Sequence, residues 1–97
     1  MDEVFYHLEE VFNLPALKIG ENLLLVRVPR REVEVFTRKG WLVVYIGNLV
    51  FMFNKEQRKL IIEEEGEDGE VLKSFEFEGV RDFLVKAGES VRVYIYF

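Results

Sequence analysis

One histidine, two serines, one threonine and three aspartates, with no cysteine, leave this 97-residue chain few side chains for nucleophilic or general-base chemistry. A hydrolase or transferase needs a nucleophile, a base and a group that orients them. On a helix the single imidazole, His7, has Glu3 and Glu10 at i−4 and i+3. Those three groups lack the spacing of a dedicated metal motif, and they read as a solvated polar face. Fifteen glutamates offer many carboxylate pairs, none marked out by its surroundings as an acid and base for glycoside chemistry. The run Glu63-Glu64-Glu65-Gly66-Glu67-Asp68 is dense in oxygen ligands. It lacks the alternating Asp/Asn positions and terminal bidentate Glu of a calcium loop, so it reads as an exposed acidic turn. The seven glycines are scattered singly, which leaves no phosphate cradle. Absence of cysteine removes disulfides, thiolate nucleophiles and Cys-ligated zinc or iron–sulfur sites. No catalytic, metal-binding or cofactor-binding residue is assigned, and the chain reads as non-enzymatic.

A second chemistry is recognition of a phosphate backbone. Arg27, Arg30, Arg31, Arg38, Lys39, Arg58 and Lys59, with Phe36, Trp41 and Tyr45 between them, supply cations and stacking rings. Single-stranded nucleic acid is bound by that combination, a basic groove with aromatic platforms. The candidates are Arg27, Phe36, Arg38, Lys39, Trp41, Lys59 and Arg92. The net charge of −5 opposes it, because phosphate affinity needs an uncompensated basic field. Charge is segregated along the chain. Residues 18–59 hold nine bases against four acids, whereas residues 60–80 hold eight acids against one base. Neighbouring antiparallel strands could pair these signs across a sheet, with basic strands beside acidic ones.

The elements that must position these residues follow from composition and period. Ninety-seven residues suit one domain, 1–97, able to bury a core without staples. Half the residues are apolar, a third are charged, and only eight are Ser, Thr, Asn or Gln, which excludes disorder. Glu, Lys and Arg in excess over amides and thiols is a hyperthermophile's balance. The start, Met-Asp-Glu, is unlike the basic region of a signal peptide, and no apolar run is long enough to span a membrane. A cytoplasmic location is expected.

Val4, Phe5, Leu8, Val11 and Phe12 recur at helical spacing, which predicts an amphipathic helix over Met1–Asn13, ended by Pro15. From Ala16 to Phe77 the chain alternates strands and turns, with strands at Leu23–Val28, Glu32–Thr37, Trp41–Ile46, Leu49–Phe53, Arg58–Glu64 and Val71–Phe77. Val80, Phe83 and Leu84 share a helical face, which predicts a short helix near 79–87 before a final strand, Val91–Phe97. The fold class is α+β: the first helix packed on a mostly antiparallel, curled sheet of roughly six to eight strands, a partial barrel or sandwich.

The hairpin Trp41–Phe53 raises the functional question. A Gly47-Asn48 turn pairs Ile46 with Leu49, Tyr45 with Val50 and Val44 with Phe51. One face then collects Leu42, Val44, Ile46, Leu49, Phe51 and Phe53, the core side. The other collects Trp41, Val43, Tyr45, Val50, Met52 and Asn54, where a half-buried sheet should be polar. The helix, about 20 Å long, could cover part of that face. A second copy, another protein or a ligand could cover it as well. Interface candidates are Trp41, Val43, Tyr45, Val50, Met52, Tyr94 and Tyr96. The expected function is a non-catalytic, thermostable module that self-associates through an apolar sheet face. Single-stranded nucleic-acid binding is the alternative.

Overall fold

A computed structural model describes residues 1–30 and 32–97; Arg31, one of the basic residues named above, lies outside them. The amphipathic N-terminus is helical, as its spacing predicts, but not uniformly so. Asp2–Tyr6 forms α1, and His7–Val11 widens into π-helical turns. Phe12 N–H donates to the His7 carbonyl at 2.9 Å, an i→i+5 bond. That wider repeat brings residues five apart onto one side. His7 and Phe12 both reach the ring of Phe75, at 4.5 and 5.7 Å between centroids.

Among the described residues nine strands follow: β1 Ala16–Ile19, β2 Leu23–Val28, β3 Val33–Arg38, β4 Trp41–Ile46, β5 Leu49–Asn54, β6 Lys59–Glu65, β7 Val71–Glu78, β8 Asp82–Lys86 and β9 Val91–Tyr96. They make two antiparallel sheets instead of one curled sheet. Sheet A has the order β1-β2-β9-β8, and sheet B is the meander β3-β4-β5-β6-β7. The two inner faces share one core, from Leu24, Val26, Val93 and Ile95 on one side to Val44, Ile46, Phe51, Leu60 and Ile62 on the other. Phe83 of β8 bridges them, its ring 5.8 Å from both Phe51 and Phe53.

The expected helix near 79–87 is a strand. Val80, Phe83 and Leu84 fit a helical face, but Phe83 and Val85 also share a side at a period of two, and the free edge of β9 decides between them. β8 pairs there from Asp82↔Tyr96 to Lys86↔Arg92, satisfying that edge. Phe83 is then buried and Leu84, turned outward, is 44% exposed.

The hairpin register is the predicted one, Ile46↔Leu49 through Leu42↔Phe53. Gly47 has φ +62° and Asn48 does not turn positive, the pattern of a type II′ turn. The β5–β6 turn depends on Asn54, a buried polar side chain whose Oδ1 accepts the Gln57 N–H at 2.9 Å. Asn54→Ala leaves that donor without its partner and is expected to cost about 1–2 kcal/mol in chemical denaturation, with Asn54→Asp costing less.

The helix does not lie on a sheet face. It closes one side of the core, between the edge strands β1 and β7. Toward β1, Lys18 Nζ donates to Asp2 Oδ1 at 2.7 Å and lies over the Phe5 ring, while Glu9 accepts the Ala16 N–H. The Lys18 hydrogen bond, with its charge, holds the Asp2 carboxyl below the usual range. Toward β7, His7 packs on Phe75 and Phe77, and Lys73 Nζ donates to the Val11 carbonyl. Among the described residues no helix is long and apolar enough to cross a membrane.

Candidate functional site

The ladders of sheet B fix what stands beside what on its outer face. Pairing from β3 to β7 lays side chains in rows across the strands. The middle row is Phe36, Val43, Met52, Ile61 and Glu76. The row on one flank is Glu34, Tyr45, Val50, Glu63 and Ser74. The row on the other flank is Arg38, Trp41, Asn54, Lys59 and Glu78. An apolar band thus runs over four strands, with Glu34 and Glu63 on one flank and Arg38 and Lys59, then Glu78 at the β7 edge, on the other.

Val43 and Val50 are buried yet belong to no part of the main core. Their neighbours on the outer face shield them. Phe36, 44% exposed, stacks on Tyr45 at 5.8 Å and 22°. Between Phe36, Arg38, Trp41, Tyr45, Met52 and Ile61 lies a shallow depression of about 370 Å³. The helix, seated between β1 and β7, is remote from this face, so the one intramolecular cover expected from the sequence is excluded.

Five interface candidates, Trp41, Val43, Tyr45, Val50 and Met52, therefore come together. Tyr94 and Tyr96 do not join them. They lie on the outer face of sheet A, across the molecule, because β9 pairs with β2 and β8 and its inward residues are Val91, Val93 and Ile95. The nucleic-acid candidates divide the same way. Phe36, Arg38, Trp41 and Lys59 are on sheet B, with Lys39 in the β3–β4 turn, whereas Arg27 and Arg92 are directly paired on sheet A. Lys59 is engaged with Glu76 at 3.8 Å. Basic and acidic segments do not generally sit side by side either. Arg38 and the acidic strand β7 occupy opposite edges of sheet B, separated by the apolar β4 and β5.

Sheet A's outer face was missed from the sequence. Its middle row is Leu17, Leu25, Tyr94 and Leu84, the next is Ile19, Leu23, Tyr96 and Asp82, and beyond them stand Arg27, Arg92 and Lys86. Leu17 is 59% and Ile19 41% exposed. The alternation of β1 carries the signal for Leu17 and Ile19. Leu84 could not be found while β8 read as a helix. The Lys86 ammonium lies 5.7 Å from the Tyr94 ring centroid, and among the described residues none of these three cations forms an ion pair.

His7 is not on a solvated polar face, contrary to the helical-wheel reading. It is half-buried against Phe75 and Phe77, and its Nδ1–H donates to the Glu3 carbonyl at 2.8 Å. That is a packed and hydrogen-bonded histidine. Among the described residues, no three His, Asp or Glu side chains stand close enough to hold a metal ion. Three ion pairs occur among them, Asp2–Lys18, Lys55–Asp82 and Lys59–Glu76, isolated and without a network. Comparison with known protein families, curated proteins and solved structures finds no match to this chain, so its functional reading rests on these two faces.

Proposed function

We propose that this chain is a small, non-catalytic interaction module that associates with a second copy of itself through the outer face of sheet B. One observation carries the reading: the row Phe36, Val43, Met52, Ile61 spans four strands with no element among the described residues over it. A sheet with one solvated face ordinarily turns polar residues outward, and a contiguous apolar patch is the mark of an interface. Light scattering on a sizing column, run from low to high micromolar concentration, tests it. Twice the chain mass is expected; a monomer at every concentration refutes the proposal. We also propose that the module is thermostable, on its composition and its two-residue turns, with a melting temperature above about 80 °C expected by calorimetry.

Sheet A supports a second reading, binding of single-stranded nucleic acid. Arg27 and Arg92 are like charges directly opposite each other, with Lys86 next in the row and Tyr94 beside it. Such a pair is unfavourable until an anion neutralises it. A salt titration with a labelled single-stranded oligonucleotide is expected to show binding that weakens with salt and falls further in Arg92→Glu. Absence of salt-sensitive binding removes this reading.

A further inference from the structure

We propose that the two copies meet about a two-fold axis lying across the strands of sheet B, along the row Phe36, Val43, Met52, Ile61. This rests on the self-association reading and specifies its geometry. The order of charges is the argument. Glu34 on β3 and Glu63 on β6 stand on one flank of the apolar row; Arg38 and Lys59 stand on the other flank of the same two strands. A two-fold axis along the row exchanges the flanks. Glu34 of one copy then faces Arg38 of the other, Glu63 faces Lys59, Tyr45 faces Trp41, and the apolar row faces itself. At the β7 edge Ser74 faces Glu78, and Glu76, paired with Lys59 of its own chain, faces its counterpart.

β3 and β6 lie one strand outside the central pair β4–β5, on opposite sides. The charge contacts are therefore balanced about the centre, and their long side chains can follow the angle of about 30° between packed sheets. A two-fold axis along β5 would pair Arg38 with Glu78, but it would set Phe36 against Glu76 and Tyr45 against Glu63 and leave Glu34 and Lys59 without an opposite charge. Five strands about 4.8 Å apart and about 20 Å long give roughly 500 Å² per copy, near the lower limit of a specific interface. Sheet A is less self-complementary: the same operation sets Lys86 against Asp82, which Lys55 already engages, and leaves Arg27 facing Leu23. Arg27, Arg92 and Lys86 stand at one end of its face, and Asp82 alone is the acid at the other.

Within one chain Glu34 and Arg38 are four residues apart on a strand, about 13 Å, too far to pair. Rescue between these positions must come from another copy. The experiment is sedimentation equilibrium on Arg38→Glu, on Glu34→Arg and on their equimolar mixture. Each variant alone sets like charges face to face twice and is expected to dimerise at least about tenfold more weakly than the parent chain. The mixture restores opposite signs at both contacts and is expected to regain parental affinity as a heterodimer. If the parent is dimeric and the mixture no tighter than its components, the axis is wrong and the self-association reading stands. If the parent is monomeric, the reading fails and the axis with it. Should either variant lose its fold by circular dichroism, Lys59→Glu with Glu63→Lys poses the same question on β6.

Discussion

Phe51→Ala is expected to destabilise the fold by about 3–5 kcal/mol, the largest loss from any single side chain considered. Phe51 is fully buried on β5, between Val44 and Ile62 in the ladder, and its ring lies 5.8 Å from Phe83 of the opposite sheet. Truncation therefore removes apolar burial and opens a cavity at the point where the two sheets touch. The surrounding side chains come from two ladders whose hydrogen bonds fix their spacing, so collapse into the void is limited. In a chain of this length each kcal/mol moves the melting temperature by about 4–8 °C, so a drop of at least about 12 °C is expected by calorimetry. A loss below about 1.5 kcal/mol would mean that the sheets do not share a core through Phe51 and Phe83. Phe51→Leu, which keeps most of the volume, should recover much of the stability.

Met52→Glu, one residue along, is expected to behave in the opposite way: little change in folding, and loss of the dimer. Met52 is partly buried on the outer face, in the middle of the apolar row between Val43 and Ile61. In the monomer a carboxylate there keeps its water, so the cost to stability is about 1 kcal/mol or less. In the proposed dimer the position lies on the axis, and two carboxylates would be desolvated against each other. A weakening of more than about 100-fold in sedimentation equilibrium is expected. Leu84→Glu, on sheet A, is the control and should leave the mass of the dimer unchanged. If Leu84→Glu dissociates the dimer and Met52→Glu does not, the copies meet through sheet A. If Met52→Glu unfolds the chain, this face belongs to the monomer's own core.

Much of the local structure was legible in the residues. Leu23–Val28, Trp41–Ile46 and the turn at Gly47-Asn48 follow from alternation and turn chemistry, and the hairpin register follows from both. So did the apolar outer set Val43, Tyr45, Val50 and Met52, because ladder partners share a face once the turn is fixed. β8 misled because Val80, Phe83 and Leu84 fit a helical face while Phe83 and Val85 fit a period of two over the same short segment, and the free edge of β9 settled it. The histidine misled for a related reason. A helical wheel assumes an α repeat, and the π-helical turns at His7–Val11 rotate His7 onto Phe75 and Phe77.

By itself, then, the sequence determined seven of the nine described strands, the central hairpin and the presence of an apolar face pointing away from the core. Those are properties of residues near one another along the chain. Which strands share a sheet, where the helix docks and which candidates form one surface depend on pairings between distant segments. Val26 against Val93 separates Tyr94 and Tyr96 from the hairpin, and α1 between β1 and β7 leaves the hairpin's outer face bare. No local period encodes such contacts. They are set by closing two sheets and a helix around one core, and that closure leaves Phe36, Val43, Met52 and Ile61 in a row across sheet B, facing outward.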